Sequence, residues 1–212
     1  MSDELHRYVV DHGMPPDDLL QDLIAETREQ FTDRAGMQID AAQGSFLTLL
    51  ARMVQPQFAV EVGTFTGYSS ICIARGLPAG GRLVCCDISE EFTSVARHYW
   101  QRADLGDVIE LRLGPALDTL AAMSGDPIIE LAFIDADKTG YRGYYEAILG
   151  RMPSGGLIVV DNVLWSGRII DEFDASEDTV ALREFNDVLA NDRRVDVSML
   201  TVGDGLTLAR KR

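Results

Sequence analysis

The sequence predicts an α/β fold built on a doubly wound, mostly parallel sheet, and three observations carry that prediction. From Phe58 onward, short strand-like runs alternate with helical segments, the pattern of a parallel sheet covered on both faces. Two of the runs, Leu131 to Ile134 and Leu157 to Val160, are uninterrupted apolar stretches of the length expected for strands buried on both sides. The tail departs from the pattern: Arg194 to Thr201 and Leu206 to Arg210 flank Val-Gly-Asp-Gly, a hairpin signal that places an antiparallel pair at one end of the sheet.

Taken in order, Pro15 to Arg34 carries Leu19, Leu20, Leu23, Ile24 and Phe31 at helical spacing behind the start signals Pro15, Pro16, Asp17 and Asp18. A second helix follows from about Asp40 to Val54. FAVEVG, RLVCCD, VIELRL, IIELAFID and GLIVVD read as strands. Gly67 to Arg75, Glu90 to Asp104, Pro115 to Met123, Tyr141 to Arg151 and Thr179 to Ala190 read as helices. No repeat, low-complexity tract or linker interrupts the chain. Its 212 residues, 46% hydrophobic and 25% charged, suit one domain, with residues 1–56 as a helical cap and 57–212 as the α/β core.

Composition excludes several classes. No apolar run approaches a membrane span and the N-terminus lacks a signal core, so a cytoplasmic protein is expected. Cys72, Cys85 and Cys86 form neither a disulfide framework nor a zinc spacing and read as reduced core residues. The net charge of −15 opposes binding to a phosphate backbone, which makes nucleic acid an unfavoured partner.

Both apolar runs end in hard oxygen ligands. The first stops at Asp135, with Asp137 and Lys138 close behind, and the second stops at Asp161 and Asn162. Ligands of open α/β sheets bind at the carboxyl ends of the strands, and carboxylates with an amide oxygen suit Mg²⁺ or Ca²⁺ better than a soft metal. Taken singly, each acid reads better as a cap for the segment that follows; as a pair at neighbouring strand ends, followed by Asn162, they favour a metal. Lys138 is one of two lysines, with Lys211, in a chain that otherwise uses arginine, and only lysine of the two can serve as a base near neutrality.

The first strand runs into Glu61-Val-Gly63-Thr64-Phe-Thr-Gly67-Tyr-Ser69, a glycine-punctuated turn that opens a helix and suits close approach of a nucleotide-like cofactor. Its spacing matches neither the dinucleotide fingerprint nor a phosphate-binding P-loop. Asp87, at the end of the second strand, is placed to bond a ribose diol, although a residue near a helix N-cap is the bland alternative. Trp165 offers a wall for a flat ring, against an ordinary partly buried aromatic. Tyr141, Tyr144 and Tyr145 read as helix packing.

Together EVGTFTGYSS, Asp87-Ile-Ser, FIDADKTGYRGYY, VVDNVLWSG and VGDGLTLARK resemble the metal-dependent O-methyltransferases related to caffeoyl-CoA and catechol O-methyltransferases, over about Met37 to Arg210. The resemblance implies the seven-stranded, Rossmann-like methyltransferase sheet, S-adenosylmethionine, and a divalent cation, Mg²⁺ or else Ca²⁺ or Mn²⁺. It also implies methylation of one of two adjacent aromatic hydroxyls. Carried over by position, Met37, Glu61, Gly63, Thr64, Ser69, Asp87, Ala116 and Asp135 would hold the cofactor. Asp135, Asp161 and Asn162 would hold the metal, and Lys138 would lie beside the acceptor hydroxyl of a small aromatic vicinal diol. Asp137, from its own position, reads as a group that touches or supports the substrate, with a solvated loop acid nearly as good a reading.

A homodimer is implied as well. The apolar stripe of Pro15 to Phe31 is its candidate surface and would equally pack on its own domain. Alternatives within the fold are a transfer RNA methyltransferase acting on hydroxylated uridine and a caffeoyl-CoA-type ester as acceptor. A cofactor-binding protein without catalysis is the alternative from another class.

Overall fold

A computed structural model of the chain describes residues 2–123 and 128–212. Seven strands, β1 (Phe58–Val62), β2 (Arg82–Asp87), β3 (Ile109–Leu113), β4 (Leu131–Ile134), β5 (Leu157–Val160), β6 (Val195–Leu200) and β7 (Leu206–Lys211), form one sheet. Their order is β3-β2-β1-β4-β5-β7-β6. The first five are parallel, while β7 runs antiparallel to β5 and pairs with β6, so the terminal hairpin sits where its turn signal placed it. This is the seven-stranded methyltransferase arrangement, and the strand order turns between β1 and β4.

Eight helices accompany the sheet among the described residues: α1 (Asp3–Asp11), α2 (Asp18–Gln30), α3 (Ala41–Val54), α4 (Tyr68–Ala74), α5 (Glu90–Arg102), α6 (Ala116–Ala122), α7 (Tyr141–Leu149) and α8 (Glu177–Asn191). Alternation along the strands feeds two cores. Val60, Val62, Val84 and Val160 face the layer of α6, α7 and α8, while Ala59, Leu83, Cys85 and Phe133 face α2 to α5. The three cysteines are buried and unpaired. No described helix is long and apolar enough to cross a membrane.

Three further features bear on the sequence reading. The stripe on α2 is covered by its own chain: Leu20 and Leu23 are buried, and α2 lies against α4 and α5. It is therefore not a free subunit surface. The uncovered apolar face belongs to α1, a helix outside that reading, which is capped by Ser2 and leaves Leu5, Tyr8 and Val9 exposed. Pairing of β4 begins only at Leu131, where the preceding Glu130 carboxylate accepts from the Gln57 N–H at 2.5 Å and the Phe58 N–H at 3.3 Å.

At the carboxyl end of β1 the backbone turns through Gly63 at φ 90°. Its N–H donates to the Cys86 carbonyl at 2.9 Å, and the Asp135 N–H donates to the Val62 carbonyl at 2.8 Å, so three strand ends meet there. A Cβ on Gly63 would overlap the Asp135 carbonyl oxygen. Gly63→Ala combines a left-handed φ costing roughly 1–2 kcal/mol with overpacking of about 1–3 kcal/mol. The expected result is a thermal midpoint lower by roughly 4–20 °C in calorimetry. An unchanged midpoint would contradict the close approach.

Candidate active site

A cleft of about 1320 Å³ opens along the carboxyl ends of the parallel strands, at the turn of strand order between β1 and β4. Met37, Gly63, Thr64, Ser69, Asp87, Ala116, Asp135, Asp137, Lys138, Asp161, Asn162 and Trp165 all line it. Of the residues singled out from the sequence, only Glu61 is not on its wall.

One half of the cleft is built around the loop from Gly63 to Gly67. Asp87 Oδ2 accepts from the Thr64 and Phe65 N–H groups at 2.9 and 3.0 Å, and Oδ1 accepts from the Ser89 N–H at 2.8 Å. Asp87 thus shapes the loop as well as facing the cleft, and Ser89 rather than Asp87 caps α5. A buried polar knot ties the loop to the N-terminal helices. Thr27 Oγ1 donates to Thr66 Oγ1 at 2.9 Å, and Gln38 Nε2 donates to both hydroxyls at 3.1 Å. The knot holds the 3₁₀ turn Thr32–Met37, and with it Met37, against the loop.

Glu61 lies beneath this half. Strand alternation turns it away from Val60 and Val62 into the α2–α5 layer, where it is fully buried and neither carboxylate oxygen has a hydrogen-bond partner. Burial raises its pKa to about 8, and the nearby polar groups of Ser69, Cys85 and Thr64 offset this only in part. Glu61 thus sits below the loop rather than on the cleft wall, with both carboxylate oxygens unpartnered.

The other half gathers the strand-end acids. Ile134 pairs in register with Val160, so Asp135 and Asp161 leave adjacent parallel strands at the same level. Asp161 is 2% exposed and Asp135 is partly buried. Burial first, and the charge of Asp135 second, push the Asp161 carboxyl above its ordinary range; burial likewise raises Asp135, against the pull of Lys138. Asn162 adopts φ 56°, a left-handed conformation that asparagine tolerates, and points Oδ1 at Lys138.

Lys138, 8% exposed, donates from Nζ to Asn162 Oδ1 at 2.6 Å, to Tyr141 Oη at 2.6 Å and to Asp135 Oδ1 at 3.1 Å. Tyr141 in turn donates to the Asp161 carbonyl at 3.1 Å. Asp135 and Asn162 thus meet at one lysine, and Tyr141 links that lysine to the Asp161 backbone. Asp137 stands exposed at the margin, where it accepts from Tyr144 Oη at 2.5 Å. Trp165 holds a left-handed φ of 48°, unusual for a bulky residue, with its ring centroid 5.5 Å from Lys138 Nζ.

Sequence reasoning missed Gln43, whose Nε2 donates to Asp161 Oδ2 at 2.6 Å, and the hydroxyl roles of Tyr141 and Tyr144. A tyrosine on an apolar helix face gives no signal for a partner 20 residues away. Asp204 was missed too; its Oδ1 accepts from the Ser166 N–H at 2.5 Å and ties the β6–β7 turn to the Trp165 segment.

The profile of the O-methyltransferase family matches residues 11–212. A probable caffeoyl-CoA O-methyltransferase 2 of Dictyostelium discoideum is 38% identical over 96% of this chain and 90% of its own length. The catechol O-methyltransferase domain-containing protein 1 of Mus musculus is 35% identical over 98% of this chain and 79% of its own. The O-methyltransferase of Bacillus cereus, solved in complex with SAH, superposes with a TM-score of 0.90 at 32% identity, covering 99% of this chain and 97% of that one. The chain belongs to the S-adenosylmethionine-dependent, caffeoyl-CoA O-methyltransferase-like family of O-methyltransferases.

The residues present fit the family's cofactor. Thr64, 2% exposed and lining the cleft, has a hydroxyl without a partner, and a Cβ on Gly114 would meet open space. They also fit a hard divalent cation. Among the described residues no three His, Cys, Asp or Glu side chains converge, so the donor set is two carboxylates and an amide. Of the two acids only Asp135 pairs with Lys138, and burial holds both carboxyls above their ordinary range, which leaves room for more positive charge.

Glu61 gives this O-methyltransferase a pH signature. The folded state keeps its proton up to about pH 8, whereas an unfolded glutamate releases it near pH 4.5. The folded state therefore binds more protons between those values, and stability falls as pH rises through that window. For cofactor-free protein the thermal midpoint should fall more steeply between those pH values in wild type than in Glu61→Gln. Equal slopes in the two proteins would show that Glu61 ionises normally.

Proposed function

We propose that this O-methyltransferase moves the methyl group of S-adenosylmethionine to one hydroxyl of a small catechol-type acceptor, with a divalent cation, Mg²⁺ before Ca²⁺ or Mn²⁺, held by Asp135, Asp161 and Asn162. The observation that carries this reading is the emergence of Asp135 and Asp161 at one level of adjacent strands, with Asp135 and Asn162 both bonded to Lys138, in the cleft whose other half is the Gly63–Gly67 loop. On this reading Met37, Gly63, Thr64, Ser69, Asp87 and Ala116 hold the cofactor from the cleft wall and Glu61 from beneath the loop, with Asp135 shared between the two halves. Trp165 forms a wall for the aromatic ring, and Asp137 faces the acceptor from the margin.

Methyl transfer breaks a carbon–sulfur bond and forms a carbon–oxygen bond, so the acceptor hydroxyl must shed its proton. When bound, a divalent cation lowers the pKa of adjacent hydroxyls and directs them. Lys138, with its three Nζ protons directed at Asp135, Tyr141 and Asn162, holds the developing negative charge; once it has released one of those protons to solvent, Nζ can take the acceptor's proton, a general-base role worth about 10²–10⁴-fold. The fixed loop and ring wall bring donor and acceptor together, an effect of roughly 7–11 kcal/mol in well-oriented reactions.

Acceptor size follows from charge. Between Ser166 and Asp178 lie five acids, Asp171, Glu172, Asp174, Glu177 and Asp178, and one arginine. Arg168 is paired with Asp174 at 2.5 Å, and Arg183 from α8 adds a second cation, bracing the carbonyls of Arg168, Ile169, Asp171 and Asp174. Five acids less two arginines leave a net charge of −3, and Asp137, Asp178 and Asp204 line the cleft itself. This opposes the phosphates of a CoA ester and favours a small free catechol such as a caffeic-acid-like compound. The overall charge of −15 likewise disfavours a transfer RNA acceptor.

The test is transfer of labelled methyl to caffeic acid, dihydroxybenzenes, caffeoyl-CoA and bulk transfer RNA, each with and without chelator. Free catechols should be the better substrates, with activity lost on chelation and restored by Mg²⁺. Asp161→Ala and Lys138→Met should each lower kcat by about 100-fold or more with cofactor affinity retained, and Lys138→Arg should not restore base function. Full turnover in excess chelator would refute the metal, and a preference for caffeoyl-CoA at low salt would refute the acceptor class.

We also infer a homodimer that covers the exposed Leu5, Tyr8 and Val9 of α1. Light scattering at micromolar concentration should return twice the chain mass of 23.3 kDa. A mass of one chain would refute it.

A further inference from the structure

Gln43 stands three residues after Asp40, the N-cap of α3, whose Oδ1 accepts from the Gln43 N–H at 2.8 Å. A glutamine at that position commonly reaches back to the N-cap N–H and completes a capping box. Here the side chain turns away and donates Nε2 to Asp161 Oδ2 at 2.6 Å, across 118 residues of sequence. Gln43 and Asp161 are each 2% exposed. An ionised carboxylate only accepts, so the amide nitrogen faces Asp161, and Oε1 lies beside Gly203 in the β6–β7 turn.

The neighbouring glycine makes this reach feasible. A Cβ on Gly44 would press on the Tyr68 ring and Cys72 Sγ, so its absence lets α3 close on α4, the helix that follows the cofactor loop. The other oxygen of Asp161, Oδ1, takes the Asn162 N–H at 2.6 Å. Both oxygens are therefore fixed, one by local backbone and the other by a side chain from the N-terminal segment. Among the described residues no other side chain donates to the Asp161 carboxylate.

We infer that Gln43 is a positioning residue that sets the Asp161 carboxylate for the divalent cation, an inference that rests on the metal reading proposed above. A lysine or arginine in its place would cancel the charge that draws a cation. A leucine or methionine would fill the space and leave Oδ2 without a donor. A neutral donor fixes the carboxylate and preserves its charge. Because α3 also lies on α4, one helix aligns the cofactor loop with the metal-binding carboxylate.

The test uses Gln43→Met, which keeps the length and volume of the side chain and removes the donor. Metal-free full-length protein with saturating SAH is titrated with Mn²⁺ by calorimetry, and SAH affinity and thermal midpoint are measured alongside. Loss of a partner behind a metal ligand weakens metal binding by about 10–100-fold, and that loss is expected with SAH affinity and midpoint near wild type. Gln43→Ala should show the same Mn²⁺ defect, which guards against misfit of the methionine. Wild-type Mn²⁺ affinity in both folded variants overturns the inference, as does a parallel loss of SAH affinity, which would make Gln43 a support of the whole cleft. If wild type itself binds neither Mn²⁺ nor Mg²⁺, the metal reading falls and takes this inference with it.

Discussion

The register between β4 and β5 is the constraint on which the reactive half of the molecule depends. Pairing of Ile134 with Val160 ends both strands at one level and forces Asp135 and Asp161 to emerge side by side, with little water around Asp161. Two carboxylates so placed repel and are poorly solvated, and both are held above their ordinary pKa range. Their surroundings answer that problem. Lys138 brings a positive charge to Asp135, the Asn162 N–H and Gln43 donate to Asp161, and Tyr141 bridges Lys138 to the β5 end. A site that concentrates buried negative charge in this way is unfavourable for folding alone, which is why it reads as a place built for a cation.

The two halves of the cleft are not independent. Gly63 begins the loop proposed to hold the cofactor, yet its backbone is packed against the Asp135 carbonyl, and the Asp135 N–H closes the last β1–β4 hydrogen bond. The loop is then held from the far side by Asp87 and from above by the Thr27–Thr66–Gln38 knot. A displacement at the β1–β4 junction would move donor and acceptor sites together. That shared junction suits a reaction in which the sulfonium methyl and the acceptor oxygen must be aligned within fractions of an ångström.

Much of this was legible in the sequence because it depends on period and punctuation. Alternating strand and helix patterns, apolar runs that stop at Asp135 and Asp161, and the Val-Gly-Asp-Gly turn are local features, and each corresponds to an observed element within a few residues. What escaped depends on contacts between distant segments. Glu61 lay in the recognised loop sequence, but only strand alternation in three dimensions turns it beneath the cleft. Asp40-Ala-Ala-Gln43 has the spacing of a capping box, and nothing local indicates that Gln43 serves Asp161 instead. The α2 stripe had two readings that the sequence weighed equally, and packing against α4 and α5 decided between them. Arg183 lay outside the acidic loop in sequence and inside it in space.

The most direct measurement of the central claim is anomalous diffraction from crystals grown with Mn²⁺ and SAH. The expected result is a single anomalous peak coordinated by carboxylate oxygens of Asp135 and Asp161 and by Asn162 Oδ1, with SAH along the Gly63–Gly67 loop. Ordered SAH with no anomalous density at that position, and Lys138 still bonded to Asp135 and Asn162, would contradict it.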